Sequence, residues 1–266
     1  MSLRLKPTLR EVLAASEGPL YGGWACLGSP VAAEIMASSG LDWMLIDMEH
    51  APNGLESVLA QLYSVSGYNC VPVVRVPVGE TVVIKQVLDL GAQTILAPMI
   101  STADEAAAVA AAAQYPPIGN RGVGSALARS ARWNRVDGYL QHAAEHVSVF
   151  VQIENIEGVR NARAIAETPG IDGVFIGPSD LAASMELLGQ QTHPEVVAAV
   201  KRTFEAVRAE NKPVGVNAFV PKQAEDYVAA GATFVLVGAD VALLARGSEA
   251  LADHFIRRAD DTRPSY

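Results

Sequence analysis

The chain has 266 residues, of which 50% are hydrophobic and 18% charged, and its 29 acidic and 20 basic side chains give a formal charge of −9. Single barrels run to about 250 residues, so we expect one domain over residues 1–266. No run of Lys or Arg exceeds two residues. The sequence therefore does not predict the basic surface that is expected of a protein that binds nucleic acid or anionic membranes.

The chain also lacks the apolar segments of a membrane or exported protein. No apolar stretch approaches the roughly 20 residues of a membrane helix, and the start, MSLRLKPTLREVL, is amphipathic and charged. Cys26 and Cys70 have no CxxC spacing and lie beside apolar runs, which predicts buried, reduced thiols. We therefore expect a cytoplasmic protein.

Short apolar runs rich in Val, Ile and Phe recur along the chain and predict eight strands. The runs are Trp24–Leu27, Trp43–Asp47, Val71–Arg75, Thr94–Pro98, Val147–Ile153, Gly173–Gly177, Pro213–Asn217 and Thr233–Gly238. Helix signals lie between them. Ser29 and Pro30 open a helix that Gly40 closes, and Thr102 with Glu105 forms a capping box before AAAVAAAA.

The alternation of strands and helices predicts an α/β fold with a parallel sheet, because strands covered on both faces read as near-continuous apolar runs. Eight such units in about 250 residues predict a single (β/α)8 TIM barrel. A doubly wound open sheet is the alternative, but no strand is followed by GxGxxG. Two connections, 115–136 and 184–193, are longer than the others, and we expect 115–136 to be an active-site or interface loop.

Polar side chains come directly after several of the predicted strands. His50 follows the second strand in DMEH, Arg75 ends the third, Gln152 and Glu154 end the fifth, and Asp180 follows the sixth in GPSD. In a (β/α)8 barrel the active site lies at the carboxyl ends of the strands. We therefore expect these side chains to meet at one rim.

Glu154 and Asp180 are 26 residues apart, about one βα unit, so they should lie on adjacent strand ends. Two convergent carboxylates suit a hard cation such as Mg²⁺ or Mn²⁺ better than zinc, and leave positions for water and a chelating substrate. Either carboxylate alone is explained as a helix N-cap. The pair, beside His50 and Arg75, favours a metal site.

His50 and Arg75 could supply a base and a binding group for an anion at this rim. A neutral imidazole at the mouth of a barrel can act as a base at neutral pH. Arg75 ends an apolar run, and a buried guanidinium needs an anion, which a substrate carboxylate or a developing enolate would supply.

Seven segments together resemble the HpcH/HpaI aldolase family, the metal-dependent pyruvate aldolases. They are LDWMLIDMEHAPN, VPVVRVP, LDLGAQTILAPM, YPPIGNRGVGSALARSARWN, VFVQIEN, DGVFIGPSDLA and ATFVLVGADVALLARG. The resemblance covers nearly the whole chain in order. It implies reversible aldol cleavage of a 4-hydroxy-2-oxo acid, such as 4-hydroxy-2-oxoheptanedioate or a 2-keto-3-deoxy-sugar acid, to pyruvate or hydroxypyruvate and an aldehyde.

The resemblance also implies roles for particular residues. His50 would be the catalytic base, with Asp89 as its partner, and Arg75 would stabilise the transition state. Glu154 and Asp180 would hold a divalent metal, Mg²⁺, Mn²⁺ or Co²⁺. Gln152, Arg75, Asp180 and the backbone of Ser179 would bind substrate. The assembly implied is a homohexamer, a trimer of dimers, and ADVALLARGSEALADHF is apolar enough to be its interface helix, although it could equally pack on the barrel.

Other functions remain open on the sequence alone. A Schiff-base aldolase needs a lysine at a strand end, and only Lys222 is predicted near the right rim. A zinc hydrolase would use the HxxEH pattern of His142–His146, which lies before the fifth strand and so at the far rim. A catalytically silent barrel that serves as an interaction protein predicts a broken set of rim residues, and the set here is intact.

Overall fold

A closed barrel of eight parallel strands forms the centre of the molecule in the computed structural model, which describes residues 3–256. Consecutive strands pair side by side from β1 to β8, and β8 returns to pair with β1. Helices follow the strands and cover the barrel's outside. The predicted (β/α)8 TIM barrel is confirmed.

The strands are β1 (Leu20–Ala25), β2 (Trp43–Asp47), β3 (Val71–Arg75), β4 (Thr94–Ala97), β5 (Ser148–Ile153), β6 (Gly173–Ile176), β7 (Val214–Asn217) and β8 (Phe234–Ala239). The helices are α1 (Leu9–Ala15), α2 (Pro30–Ala37), α3 (Leu55–Ser64), α4 (Thr81–Asp89), α5 (Ala103–Ala113), α6 (Tyr139–His142), α7 (Ile156–Glu167), α8 (Pro178–Ser184), α9 (Pro194–Ala209), α10 (Pro221–Ala229) and α11 (Asp240–Phe255).

Seven predicted strands agree with the structure to within one residue at each end, and the first does not. β1 begins at Leu20 and ends at Ala25, so the interpretation of Trp24–Leu27 was wrong at both ends. The reason is the glycine pair inside the strand, which resembles a turn in sequence. A Cβ at Gly22 would lie 2.3 Å from the ring of Trp43, so glycine here makes room for the neighbouring strand's tryptophan.

The predicted helix caps are confirmed. The Ser29 side chain accepts a hydrogen bond from the amide of Ala32 at the start of α2. Thr102 and Glu105 form a reciprocal capping box at α5. These bonds satisfy amides that have no partner within the helix, so they define where each helix begins.

Two layers of apolar side chains make up the core. Inside the barrel, Trp43 packs edge-to-face on Phe234 with ring centroids 5.7 Å apart, and Phe150 contacts the same ring at 5.4 Å. Leu9 of α1 joins this interior cluster, and its amide donates to Thr94 Oγ1 at the start of β4. The first helix therefore closes the end of the barrel at which the strands begin.

The second layer lies between the sheet and the surrounding helices. α11 contributes little to it, because only Asp240 of that helix is buried. Leu243, Leu244 and Leu251 are each more than 60% exposed. No helix within residues 3–256 has the length and apolar character needed to cross a membrane.

The long connection 115–136 is an ordered loop that contains one 3-10 turn, Arg129–Ala131. Arg121 anchors the loop. Its fully buried guanidinium donates to Asp89 Oδ1 at 2.9 Å and lies 4.6 Å from the ring centroid of Tyr115. The loop is thus tied to α4 by a charge-assisted bond.

Candidate active site

A cavity of about 280 Å³ opens at the rim where the strands end. The sequence-predicted residues His50, Arg75, Gln152, Ser179 and Asp180 all line it. The carboxyl ends of β2, β3, β5 and β6 bring these side chains together, as parallel strands in a barrel must. The remaining predicted residues, Glu154 and Asp89, are described below.

The centre of this site is a buried ion pair between neighbouring strands. Asp47 and Arg75 are register partners at the ends of β2 and β3. Arg75 Nε donates to Asp47 Oδ1 and Arg75 Nη2 to Oδ2, both at 2.8 Å. Asp47 is 1% exposed and Arg75 3%, so the bidentate pair is shielded from solvent. This geometry holds the planar guanidinium in one orientation.

Three further contacts surround the same guanidinium. Arg75 Nη1 lies 2.9 Å from Glu49 Oε2 and 3.5 Å from Gln152 Oε1. The Trp24 ring packs against its face, with its centroid 4.3 Å from Arg75 Cζ. Trp24 in turn donates from Nε1 to Asn217 Oδ1 at 3.1 Å. Arg75 is therefore restrained in its plane by carboxylates and across its face by an aromatic ring.

Glu154 lies next to the cavity and is held by two donors. Its Oε1 accepts from the Met99 amide at 2.7 Å, and its Oε2 accepts from Gln152 Nε2. Met99 has a φ of 59°, a left-handed conformation that turns its amide toward the carboxylate. A Cβ at Gly177 would lie 3.0 Å from Glu154 Oε2, so glycine keeps space open beside this oxygen.

Asp180 is in the first turn of α8 and is exposed, and it has no hydrogen-bonded or ion-paired partner among residues 3–256. Burial raises the pKa of Glu154, and the nearby charges of Glu49 and Asp180 raise it further. Burial also raises the pKa of Glu49, as do the charges of Asp47 and Asp180, although Arg75 and His50 oppose the shift. The carboxylates here outnumber the nearby cations.

Such a group of carboxylates is suited to a divalent cation. The oxygens of Glu154 and Asp180 are hard ligands, and both residues lie at the rim of the same cavity. No group of three or more His, Cys, Asp or Glu side chains arranged to hold a metal ion is found within the described part of the chain. The residues present therefore fit a cation that takes two protein ligands and completes its shell with water and substrate.

His50 is at the outer edge of the site. Its side chain is 64% exposed, and its Nε2 lies 3.8 Å from Glu49 Oε1, beyond hydrogen-bonding distance. The imidazole follows β2 directly and lines the cavity with Arg75 and Asp180. Its position allows it to reach a bound molecule from the solvent side.

The predicted pairing of Asp89 with His50 is wrong within one chain. Asp89 is the last residue of α4, and its carboxylate binds Arg121. A helix that follows one strand and precedes the next ends at the rim where strands begin, whereas His50 follows the end of β2. The two residues are therefore at opposite rims of the barrel, and Asp89 does not line the cavity.

Sequence reasoning gave no role to Asp47 and Glu49, which the structure shows to be the carboxylate partners of Arg75. The DMEH segment indicates these contacts, because acidic residues at the end of one strand lie beside the residue that ends the adjacent strand, here Arg75. Cys26 was expected to be a buried thiol, but it is half-buried and lines the cavity. Burial and the charges of Asp47 and Asp240 raise its pKa to about 12, which disfavours the reactive thiolate form.

The residues of the alternative functions lie outside this site. No lysine of the described residues lines the cavity, and Lys222 is exposed on α10, where it pairs with Asp226 at 2.8 Å. His142 binds Glu145, and His146 stacks on Tyr139, in the segment that precedes β5. The structure thus offers no Schiff-base lysine in the cavity, and the HxxEH pattern lies at the far rim.

The barrel with this rim is typical of (β/α)8 enzymes that act on small molecules, and comparison with known proteins agrees. The sequence model of HpcH/HpaI aldolase/citrate lyase matches residues 20–247. A 4-hydroxy-2-oxo-heptane-1,7-dioate aldolase of Salmonella dublin is 48% identical over 251 residues, which are 94% of this chain and 95% of that protein.

Solved structures show the same relationship. A HpcH/HpaI aldolase/citrate lyase family protein from Burkholderia cenocepacia J2315 is 40% identical, with a TM-score of 0.88 over 92% of this chain and 98% of that one. A citrate lyase beta subunit from M. tuberculosis, complexed with oxaloacetate and magnesium, shares the fold at 16% identity and a TM-score of 0.57, covering 85% of this chain and 93% of that one.

The chain belongs to the HpcH/HpaI aldolase/citrate lyase family. It is an enzyme of the carbon–carbon lyase type, as the resemblance in its sequence implied.

We expect Asp47→Asn to destabilise the protein by about 3 kcal/mol, because removing the bidentate carboxylate leaves the buried guanidinium only partly compensated, by Glu49. Activity should fall as well, since Arg75 loses its bidentate anchor. Urea denaturation measures the first effect and a lyase assay the second. Asp226→Asn, which breaks the exposed pair with Lys222, is the matched control and should leave stability unchanged. Equal stabilities for the two variants would contradict the structural role of the Asp47–Arg75 pair.

Proposed function

We propose that the protein is a divalent-metal-dependent aldolase that reversibly cleaves 4-hydroxy-2-oxo acids to pyruvate, or hydroxypyruvate, and an aldehyde. The observation that carries this proposal is the single cavity at which His50, Arg75 and Asp180 meet, with Glu154 beside it. The 48% identical relative named as a 4-hydroxy-2-oxo-heptane-1,7-dioate aldolase supports the substrate class.

Glu154 and Asp180 are the residues that would hold the metal, with Mg²⁺, Mn²⁺ or Co²⁺ as the candidates. When bound, a divalent cation would polarise the 2-oxo group and thereby acidify the C3 protons. The excess of carboxylates at this rim supports the assignment, because each of them would gain stability from a nearby positive charge.

The chain's own residues would orient the substrate. Arg75 supplies fixed N–H donors at the cavity and would face the oxygen on which negative charge develops. Gln152 bonds to Glu154 and approaches Arg75, so it would place the 2-oxo acid between the two. The Ser179 amide, at the start of α8, would bind the substrate carboxylate.

His50 would transfer the protons. In cleavage, it takes the proton of the 4-hydroxyl, and the electron pair of the broken O–H bond forms the C=O bond of the departing aldehyde. The C3–C4 electron pair passes to the 2-oxo group, which gives an enolate that Arg75 stabilises. Return of a proton to C3 yields the 2-oxo acid product, and the addition reaction follows the same steps in reverse.

We also propose that the enzyme is a homo-oligomer in the cytoplasm, a hexamer built as a trimer of dimers, with α11 at an interface. Val241, Leu243, Leu244, Leu251 and Phe255 of this helix are exposed in the single chain. Packing on the barrel, the other possibility that the sequence left open, does not cover these side chains. Several exposed large apolar side chains on one helix are typical of subunit contacts.

The first expectation concerns the metal. Chelation should abolish turnover, and Asp180→Ala should weaken Mn²⁺ binding by calorimetry at least about tenfold. Asp104→Ala, in the equivalent first turn of α5, is the matched control and should bind Mn²⁺ normally. Because the pKa of Glu154 is raised, protonation should weaken Mn²⁺ binding from a pH above the usual range of glutamate. Normal metal-dependent turnover by Asp180→Ala would place the metal elsewhere.

The second expectation concerns the base. His50→Ala should slow exchange of pyruvate C3 protons into deuterated solvent, followed by NMR, by roughly 10²–10⁴, the range for positioned general bases. Its Mn²⁺ affinity should stay close to that of the parent. His193→Ala, at the N-cap of α9, controls for loss of an imidazole elsewhere. Exchange at the parent rate by His50→Ala would show that another group is the base.

The third expectation concerns assembly. Light scattering should give the mass of a hexamer, and Leu244→Glu with Leu251→Glu should yield smaller species, because charge is costly in an apolar contact. Leu188→Glu changes a leucine of the 184–193 connection that is also exposed and is the control. A monomeric parent protein would overturn the proposed assembly.

A further inference from the structure

A second cavity, of about 500 Å³, lies at the rim of the barrel opposite the active site. β3 shows the separation, because its first residue, Val71, lines this cavity and its last, Arg75, lines the active site. The volume lies within the range of small-molecule sites. Nothing in the aldolase chemistry described above uses this end of the barrel.

Four cationic side chains line this cavity, and we call it the basic cavity. They are Arg4, Lys6, Arg129 and Arg132. Among residues 3–256, no Asp or Glu lines this cavity. In a chain with 29 acidic and 20 basic side chains, a concave site of purely positive charge runs against the composition of the whole protein. Clefts lined by one sign of charge attract ligands of the opposite sign.

Three of the four cations of the basic cavity are hydrogen-bonded to neutral carbonyl groups. Arg129 donates to the backbone oxygens of Leu90, at 3.0 Å, and Leu62, at 3.4 Å. Arg132 donates to the carbonyl of Arg129, and Lys6 to that of Tyr68. Burial lowers the pKa of Arg129, and repulsion from Arg132 lowers it further. These contacts position the positive charges without neutralising them.

The two inner arginines are held in place before any ligand binds. Arg129 stacks on the ring of Tyr63, 4.6 Å from its centroid. Arg132, Trp133 and Asn134 are consecutive residues with φ values of 50°, 53° and 65°. Left-handed conformations are unfavourable for residues other than glycine, and such strain concentrates at functional segments. The loop thus adopts a strained conformation that keeps Arg132 at the cavity.

The rest of the wall is largely apolar. Val12, Leu62, Val65, Val71 and Pro72 line it beside the four cations. Small-molecule sites commonly combine apolar walls with a few convergent polar groups that recognise one part of the ligand. A free inorganic ion would leave this apolar surface unused, whereas an anionic group on an apolar body would contact both parts.

We propose that the basic cavity is a second ligand site, which binds a small molecule that carries a phosphate group on an apolar body. Phosphate matches three arginines and a lysine because guanidinium groups bind its oxygens in bidentate pairs and the lysine adds a point charge. The site is separate from the catalytic rim and its occupation does not require pyruvate or metal. Ligand binding at the basic cavity therefore does not depend on the proposed aldolase activity.

Calorimetric titration of the purified enzyme tests this with phenyl phosphate as the probe, and with inorganic phosphate and phenol as its two halves. We expect phenyl phosphate to bind more tightly than inorganic phosphate, and phenol not to bind. Arg129→Gln with Arg132→Gln should weaken phenyl phosphate binding on the order of tenfold to a hundredfold. Arg160→Gln with Arg202→Gln removes two exposed arginines elsewhere and should leave it unchanged.

Two further measurements separate loss of binding from loss of folding, and the basic cavity from the active site. Because Arg129 binds carbonyls at the ends of α3 and α4, its loss could destabilise the fold, so Arg4→Gln with Lys6→Gln serves as a second variant that should also weaken binding. Excess pyruvate with Mg²⁺ should not displace phenyl phosphate. Displacement by pyruvate, or undiminished binding to both cavity variants, would overturn the proposal, as would the absence of any phenyl phosphate binding to the parent enzyme.

Discussion

The ion pair between Asp47 and Arg75 is the interaction on which the catalytic rim depends. A guanidinium with 3% exposure is stable only where its charge is matched, and two N–H groups directed at one carboxylate match it with a fixed geometry. The register of β2 with β3 places these residues side by side. Trp24, Glu49 and Gln152 contact this guanidinium, which the bidentate pair holds in one orientation.

This arrangement explains why carboxylates dominate the rim. Asp47 and Glu49 offset the charge of Arg75, which leaves Glu154 and Asp180 without a cation of their own. The Met99 amide donates to Glu154, and Gly177 leaves room for this carboxylate. Glu154 is thus held near Glu49 and Asp180, whose negative charges repel it. The groups around this carboxylate are thus fixed before any ligand is present, which is what electrostatic preorganisation requires.

The two ends of the barrel carry opposite charge. Carboxylates surround the active-site cavity, whereas arginine and lysine side chains line the cavity at the other rim. The side chains of Trp43, Phe150 and Phe234 fill the barrel interior between the two cavities. Neither site requires an open passage through the barrel. Loop 115–136 belongs to the basic end, since Arg121 ties it to α4 and Arg129 and Arg132 project from it.

Much of the fold and part of the site could be predicted from sequence. The order of strands and helices is encoded locally, in apolar runs such as Val71–Arg75 and in caps such as Ser29 and Thr102, because strand burial and helix ends depend on neighbouring residues. The barrel's rule that active sites lie at strand ends then selected His50, Arg75 and Asp180. The failure at β1 has a tertiary cause, since Gly22 is glycine on account of the Trp43 ring.

The sequence by itself determined the barrel, the family and the set of polar residues that follow the strands. Only the tertiary structure decided the partners of those residues. It paired Arg75 with Asp47 and Glu49, bound Asp89 to Arg121 at the far rim, and assembled the basic cavity from the chain's first residues and a loop more than a hundred positions later. The physical reason is that charge pairing depends on distance in space, which the closure of eight strands into a ring sets and which no local pattern encodes.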